Sequence, residues 1–106
     1  MRWFEKIIAA HVAVTNAVSH GERIQSERYF VWQEDGSNDF IAGNIHAEYV
    51  MTGSTDLFTK QEFDPWREEI GQAFDRFGVA WSFNSTQHEA ETGFWHYEWL
   101  WEVTDG

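Results

Sequence analysis

The sequence predicts a single α+β domain, residues 1–106, with a mainly antiparallel sheet of about four to five strands and two helices packed on one face. Three observations lead to this fold class. Aromatic and polar side chains alternate near the C-terminus, as in a half-buried strand. Two separate stretches repeat apolar residues at helical spacing. The remaining strands follow one another without the strand–helix–strand alternation of a parallel sheet.

The strongest strand signal is the segment Phe94–Val103, in which large apolar side chains occupy every second position: Trp95, Tyr97, Trp99, Trp101 and Val103. Successive side chains of a strand point to opposite faces, so these five share one face. Each buried aromatic removes about 150–250 Å² from water. The segment is therefore expected to supply a large part of the core. Thr92-Gly93 predicts a two-residue turn to a preceding strand at Thr86–Glu91, which pairs Glu89 with His96.

Two helices are predicted. The first carries an apolar stripe at three- and four-residue steps, and Gly21 stands just past its end as a cap: Phe4, Ile7, Ile8, His11, Val14, Thr15 and Val18. The second begins at Asp64-Pro65, where aspartate suits the N-cap and proline the first helical position. Its apolar residues also follow helical spacing, and Gly78 ends it: Trp66, Ile70, Ala73, Phe74 and Phe77.

Three further strands are expected, at Ser26–Glu34, at Ile45–Lys60 and at Val79–Phe83. Apolar groups on both faces of the first suggest either that the chain covers both of its sides or that a neighbouring subunit covers one. Gly53 in the middle of the second predicts a bulge or a bend. The cluster of polar turn formers after Gln33 predicts a long loop.

The chain is strongly acidic, with a formal net charge of −11 and no cysteine. Such a surface repels nucleic acid and anionic lipid, which argues against sequence-specific DNA binding and against a membrane surface. No stretch approaches the roughly 20 apolar residues of a membrane span. The negative charge is compatible with a channel surface that nucleic acid passes without binding, or with a protein that imitates nucleic acid. The simplest alternative is that the charge serves solubility alone.

Few residues suggest chemistry. Glu89, His96 and Glu98 share one predicted face and are possible ligands of a divalent metal, but a solvated Glu–His pair explains them better, because no tight ligand spacing is present. The acidic cluster Glu34–Asp39 does not match a calcium loop. His11 lies on the apolar stripe of the first helix, which favours a hydrogen-bonded core histidine over a catalytic base. No nucleophile elbow, phosphate loop or dinucleotide fingerprint occurs. The sequence thus predicts no enzyme, and nominates no catalytic residue, cofactor or metal.

Several stretches together resemble the small head–tail joining proteins of long-tailed bacteriophages and prophages, in particular the tail terminator or tail completion group. In order along the chain they are Tyr29–Gln33, Gly53–Lys60, Phe63–Pro65, Gly78–Trp81 and His96–Trp99. The resemblance covers most of the chain, although no single residue in it is diagnostic. It implies a compact α+β subunit without catalytic residues.

The same resemblance implies a homo-oligomer, a hexameric ring that caps the tail tube and docks onto other tail or head-connector proteins. The protein is then expected in the virion, and in the host cytoplasm before assembly. A ring needs a heterologous interface, with two different patches on each subunit. For pairing between subunits we expect the exposed edges of the long strand, at Thr55, Asp56, Phe58 and Lys60, and of the hairpin. The polar loop after the first strand, with Glu34, Asp35, Asp39 and Asn44, is expected to face the tube lumen or a partner.

An alternative function is an acidic inhibitor or nucleic-acid mimic of phage origin that binds a basic host protein. A mimic needs carboxylates along one face, whereas the acids of this sequence are spread through loops, helix and hairpin. That distribution favours the ring subunit.

Overall fold

The computed structural model describes residues 1–37 and 50–106. They form two helices and five strands, in the order α1 (Trp3–Val12), β1 (Val18–His20), β2 (Arg28–Ser37), β3 (Val50–Thr59), α2 (Trp66–Arg76), β4 (Ala80–Glu89) and β5 (Phe94–Thr104). The strands make one sheet in the spatial order β1-β2-β3-β5-β4. Every neighbouring pair is antiparallel except β1 with β2, which is parallel. The predicted α+β fold class is confirmed.

Both helices contribute to the same hydrophobic core on one face of the sheet. The predicted aromatic face of β5 lies at its centre, where Tyr97, Trp99 and Trp101 are almost completely buried. Ile7 of α1 and Ile70 and Phe74 of α2 close over them with no exposed surface. The alternation of β5 therefore places its largest apolar surface under the two helices, which is the main source of burial in this fold.

A smaller cluster occupies the helix-free face and joins Tyr29, Val31 and Phe58. The segment between β1 and β2 crosses this face, and the guanidinium of Arg23 lies 3.9 Å from the centre of the Phe58 ring. Both faces of β2 are covered in this way, as its apolar pattern predicted. The cover on the second face is a loop of the same chain.

The first helix is shorter than its apolar pattern suggested. It ends at Val12, and Val18–His20 forms the edge strand β1, which pairs with Phe30–Trp32. Gly21 follows this strand with φ of +82°, so it turns the chain after β1 and does not cap α1. Tertiary pairing decides the structure of this segment. As a strand, Val18–His20 bonds to the backbone N–H and C=O groups on the edge of β2, which would lack these partners if the helix continued.

The hairpin of β4 and β5 differs from prediction in its register. Glu89 pairs with Phe94, which leaves four residues, 90–93, in the turn. The backbone N–H of Gly93 donates to the carbonyl of Glu89 at 2.8 Å and closes it. β4 is one continuous strand, and the break expected at Asn84-Ser85 is a bulge in the pairing between Phe83 and Ser85.

Gly53 has a different role from the one predicted. A Cβ at this position would lie 2.4 Å from the Trp101 ring, so the glycine makes room for the indole. The bulge is in the neighbouring strand β2, between Glu34 and Gly36 and opposite Gly53.

The predicted placement of the long strand's interface residues on an exposed edge is wrong. Thr55, Asp56 and Phe58 lie in β3, which has β2 on one side and β5 on the other, and Lys60 follows its last residue. The most apolar strand, β5, lies between β3 and its sequence neighbour β4, because the centre of a sheet buries more apolar surface than its edge. Thr55 and Phe58 are buried as a result.

Two of the residues predicted in the lumen loop lie in a strand. Glu34 and Asp35 belong to β2, which continues through its bulge to Ser37. The prediction of a loop at these two residues is therefore wrong. Asp39 and Asn44 lie outside the described residues.

Candidate interaction surfaces

The buried polar groups form closed structural networks. His11 Nδ1 donates to the carbonyl oxygen of Ile7 at 2.7 Å, and its Nε2 accepts from the Thr55 hydroxyl at 3.0 Å. The Thr55 oxygen in turn accepts from the indole N–H of Trp101 at 3.0 Å. Burial lowers the pKa of His11 to about 4, so the ring is neutral and fully bonded. A residue in this state packs α1 against the sheet and has no access to a substrate.

A second network holds the connection between β3 and α2. The buried carboxylate of Asp64 accepts from Arg28 Nε at 2.8 Å, from the Thr59 hydroxyl at 2.7 Å and from the backbone N–H of Trp66 at 2.9 Å. Burial acts to raise the pKa of Asp64, but these donors outweigh it and the pKa is lowered. The predicted capping role of Asp64 is thus realised through the N–H of Trp66.

The predicted cluster on the hairpin is partly assembled. His96 Nδ1 lies 3.9 Å from Glu89 Oε2, while its Nε2 lies 2.6 Å from Asp56 Oδ1. Glu98 instead accepts from the side-chain amide of Asn84. Arg23 reaches Glu89 at 3.2 Å, which links the β1–β2 segment to the hairpin. These are partly exposed polar contacts that fasten one segment to another.

No assembled reactive centre is found in the part of the chain that the structure describes. Across residues 1–37 and 50–106, no group of three His, Cys, Asp or Glu side chains is placed to hold a metal ion. Every buried side-chain nitrogen or oxygen in these ranges has a hydrogen-bond partner. Neither described helix has the length and apolarity needed to cross a bilayer. The features that stand out are apolar surfaces at the two sides of the sheet.

The first of these surfaces, the α1 edge, consists of Phe4, Ile8 and Val12 together with the edge strand β1. The three helical side chains are spaced at i, i+4 and i+8 and are 36%, 44% and 51% exposed. They line a groove of about 530 Å³ between α1 and β1. Its far wall is the Trp32 ring, on which His20 stacks at 3.9 Å. Helix α1 thus has two apolar sides. Phe4 and Ile8, predicted in one stripe with Ile7, lie on the exposed side.

The rim of the α1 edge carries a local ion pair. Glu34 Oε1 lies 2.6 Å from His20 Nε2, and the hydrogen bond from His20 lowers the pKa of the Glu34 carboxyl. Glu34, predicted as a lumen residue, is therefore placed beside this groove.

The second surface, the β4 edge, is the strand Ala80–Glu89 on the opposite side of the sheet. Trp81 and Phe83 point to the helix-bearing face and are 38% and 37% exposed. The Trp81 indole donates to Asp75 at 2.8 Å, and Arg67 lies 4.4 Å over the Phe83 ring, so α2 holds both rings in place. The sequence analysis named the hairpin as a possible edge, and β4 is the half of it that occupies one.

The β4 edge lacks the usual protection of a free strand. Exposed edges normally carry lysines, prolines or inward charges that discourage pairing with another chain. From Ala80 to His88 the strand has no Asp, Glu, Lys, Arg or Pro, although about a quarter of the whole chain is charged. One bulge, at Asn84, is the only such device in the strand. An edge of this kind suits strand addition.

No family model matches the chain, and no curated protein matches it in sequence.

Proposed function

We propose that this protein is a structural subunit that assembles with copies of itself into a ring, in the role of the phage head–tail joining proteins that its sequence resembles. The observation that carries the proposal is the pair of unlike apolar surfaces, the α1 edge and the β4 edge, at opposite sides of one sheet. Two different patches on one subunit are what a heterologous, head-to-tail contact requires. When the rotation between neighbours closes, such a contact makes a ring.

The helix-free face supports the proposed lumen. Its strand residues include four carboxylates, Asp56, Glu89, Glu98 and Glu102. Two cations reach the same face, Arg23 beside Glu89 and Lys60 over the Phe94 ring, so the carboxylates outnumber them. With helices outside and this face inside, a ring would present a negative wall to passing DNA. Like charge keeps a polyanion from adhering to such a wall.

The same acidic face favours one second candidate, the acidic mimic that binds a basic protein. A mimic requires the carboxylates but gives no role to the open edges. The two functions therefore differ in whether the edges matter: a substitution at Ile8 should impair a ring subunit and leave a mimic unaffected.

The proposed function is tested by removing the gene from a phage or prophage that carries it. We expect the lysate to contain separate heads and tails and to lose infectivity, and purified protein should restore joined particles in vitro. The Ile8→Lys variant should fail to restore them. As a matched control, Glu91→Lys makes a charge change at the exposed hairpin turn and should restore them fully. Intact, infectious particles from the deletion strain would refute the proposal. The proposal would also be refuted if this protein were purified as a monomer bound to one basic host protein.

A further inference from the structure

The two open edges match each other in orientation. β1 and β2 are parallel and each later neighbour reverses, so β4 runs opposite to β1. If a second copy continues the sheet with its helices on the same face, its β4 comes to lie antiparallel beside β1. Antiparallel pairing is the more stable arrangement per residue.

The side chains of the two edges also lie on the same face. Trp81 and Phe83 stand on the helix-bearing side of β4, since Trp81 packs against Gly71 of α2 and Phe83 against Trp99. The groove between α1 and β1 opens on that side as well. A strand added to β1 in this orientation brings its two aromatic rings toward the exposed side chains of α1.

We infer that β4 of one copy adds antiparallel to β1 of the next, with Trp81 and Phe83 packed against Phe4, Ile8 and Val12. The inference rests on the self-assembly in the proposed function and specifies which two surfaces meet. It completes the cover of both apolar edges in one step.

Charge favours a second copy as the occupant. Two chains of net charge −11 repel each other over most of their surfaces. The facing strands are exceptions, because Val18–His20 and Ala80–His88 contain no acid. The contact therefore joins two strand segments that carry no acid themselves, while Glu34 at the rim of the groove and Asp75 beside Trp81 are neighbouring carboxylates.

The absence of cysteine from the sequence allows a direct test by site-specific cross-linking. Ile8→Cys marks the α1 edge, and Thr86→Cys marks the helix-bearing side of β4; both positions are exposed, so neither change disturbs the core. Four samples are treated with a short bismaleimide: each single variant by itself, the mixture of the two, and the double variant. Glu91→Cys at the hairpin turn replaces Thr86→Cys in the control mixture.

The inferred contact brings residue 8 of one copy close to β4 of another. Covalent dimers are therefore expected from the mixture and a ladder of multimers from the double variant. Neither single variant by itself should give more covalent dimer than the control mixture. Dimers from Thr86→Cys alone would show that two β4 edges pair about a two-fold axis and would overturn the inference. A mixture that gives no more dimer than the control would also overturn it.

The result separates the contact from the proposed function. A ladder from the double variant, together with normal particles from the deletion strain, would keep the contact and reject the phage role. Joined particles restored by wild-type protein, without cross-links, would keep the role and reject this contact.

Discussion

The buried histidine of α1 predicts a specific loss of stability in mild acid. Burial lowers its pKa to about 4 in the folded protein, compared with 6.5 for an exposed histidine. Between these two pH values the unfolded chain binds a proton that the folded chain does not. Stability from the neutral ring is therefore complete above pH 6.5 and is lost progressively as the pH falls toward 4. Below pH 4 both states carry the proton, and the loss stops.

The size of the effect follows from the same shift. A difference of about 2.5 pKa units at 1.36 kcal/mol per unit corresponds to about 3 kcal/mol. A domain of this size has a free energy of unfolding of about 5–15 kcal/mol. The single histidine should thus account for a large part of the acid sensitivity of the fold.

Denaturant titrations followed by tryptophan fluorescence, at pH values from 7.5 to 4, provide the measurement. The His11→Gln variant is the comparison, because glutamine can still accept from the Thr55 hydroxyl but does not titrate. It should be less stable than wild type at neutral pH, and the gap between the two should narrow by about 3 kcal/mol on the way to pH 4. Ile8→Gln, an exposed change on the same helix, should give a curve parallel to wild type. A constant gap between wild type and His11→Gln would refute the reasoning.

Three further outcomes are expected from denaturation and light scattering. Gly53→Ala should destabilise the protein by about 1–3 kcal/mol, because its Cβ meets both the Trp101 ring and the backbone carbonyl oxygen of Gln33. Unchanged stability would contradict this close packing. Asp64→Asn should lower the free energy of unfolding by about 2–3 kcal/mol, because it weakens the charged hydrogen bond to Arg28. A decrease of less than about 1 kcal/mol would contradict the role given to this network. Ile8→Lys should change stability by less than about 0.5 kcal/mol but reduce self-association, and equal association of variant and wild type would exclude the α1 edge as an interface.

Local patterns were enough to predict much of the fold. The alternation of β5 and the Asp64-Pro65 start of α2 each point to one structure, because period and capping depend on neighbouring residues alone. Val18 was wrongly predicted as the last apolar residue of α1. It begins the strand Val18–His20, and a three-residue edge strand is too short to show a period of its own. It exists because β2 offers it a partner.

The interaction surfaces were harder to predict. The placement of Thr55–Lys60 at an edge failed because strand order is a long-range property: the sequence neighbours β3 and α2 do not reveal that β5 is inserted between β3 and β4. One signal for the α1 edge was available. Phe4, Ile8 and Val12 form a second helical stripe beside the buried one, and an apolar residue outside the core stripe is a sign of an interface.

The sequence alone determined the elements with strong local periods, the strongly negative charge and the aromatic face that forms the core. The tertiary structure decided which strands are central and which are edges, and thereby which apolar side chains remain open to another molecule. The physical reason is that periodicity acts over a few residues, whereas exposure is set by the whole arrangement of the sheet. Trp101 and Trp81 look alike in their strands, yet one is buried and the other is not, because their strands occupy different places in that order.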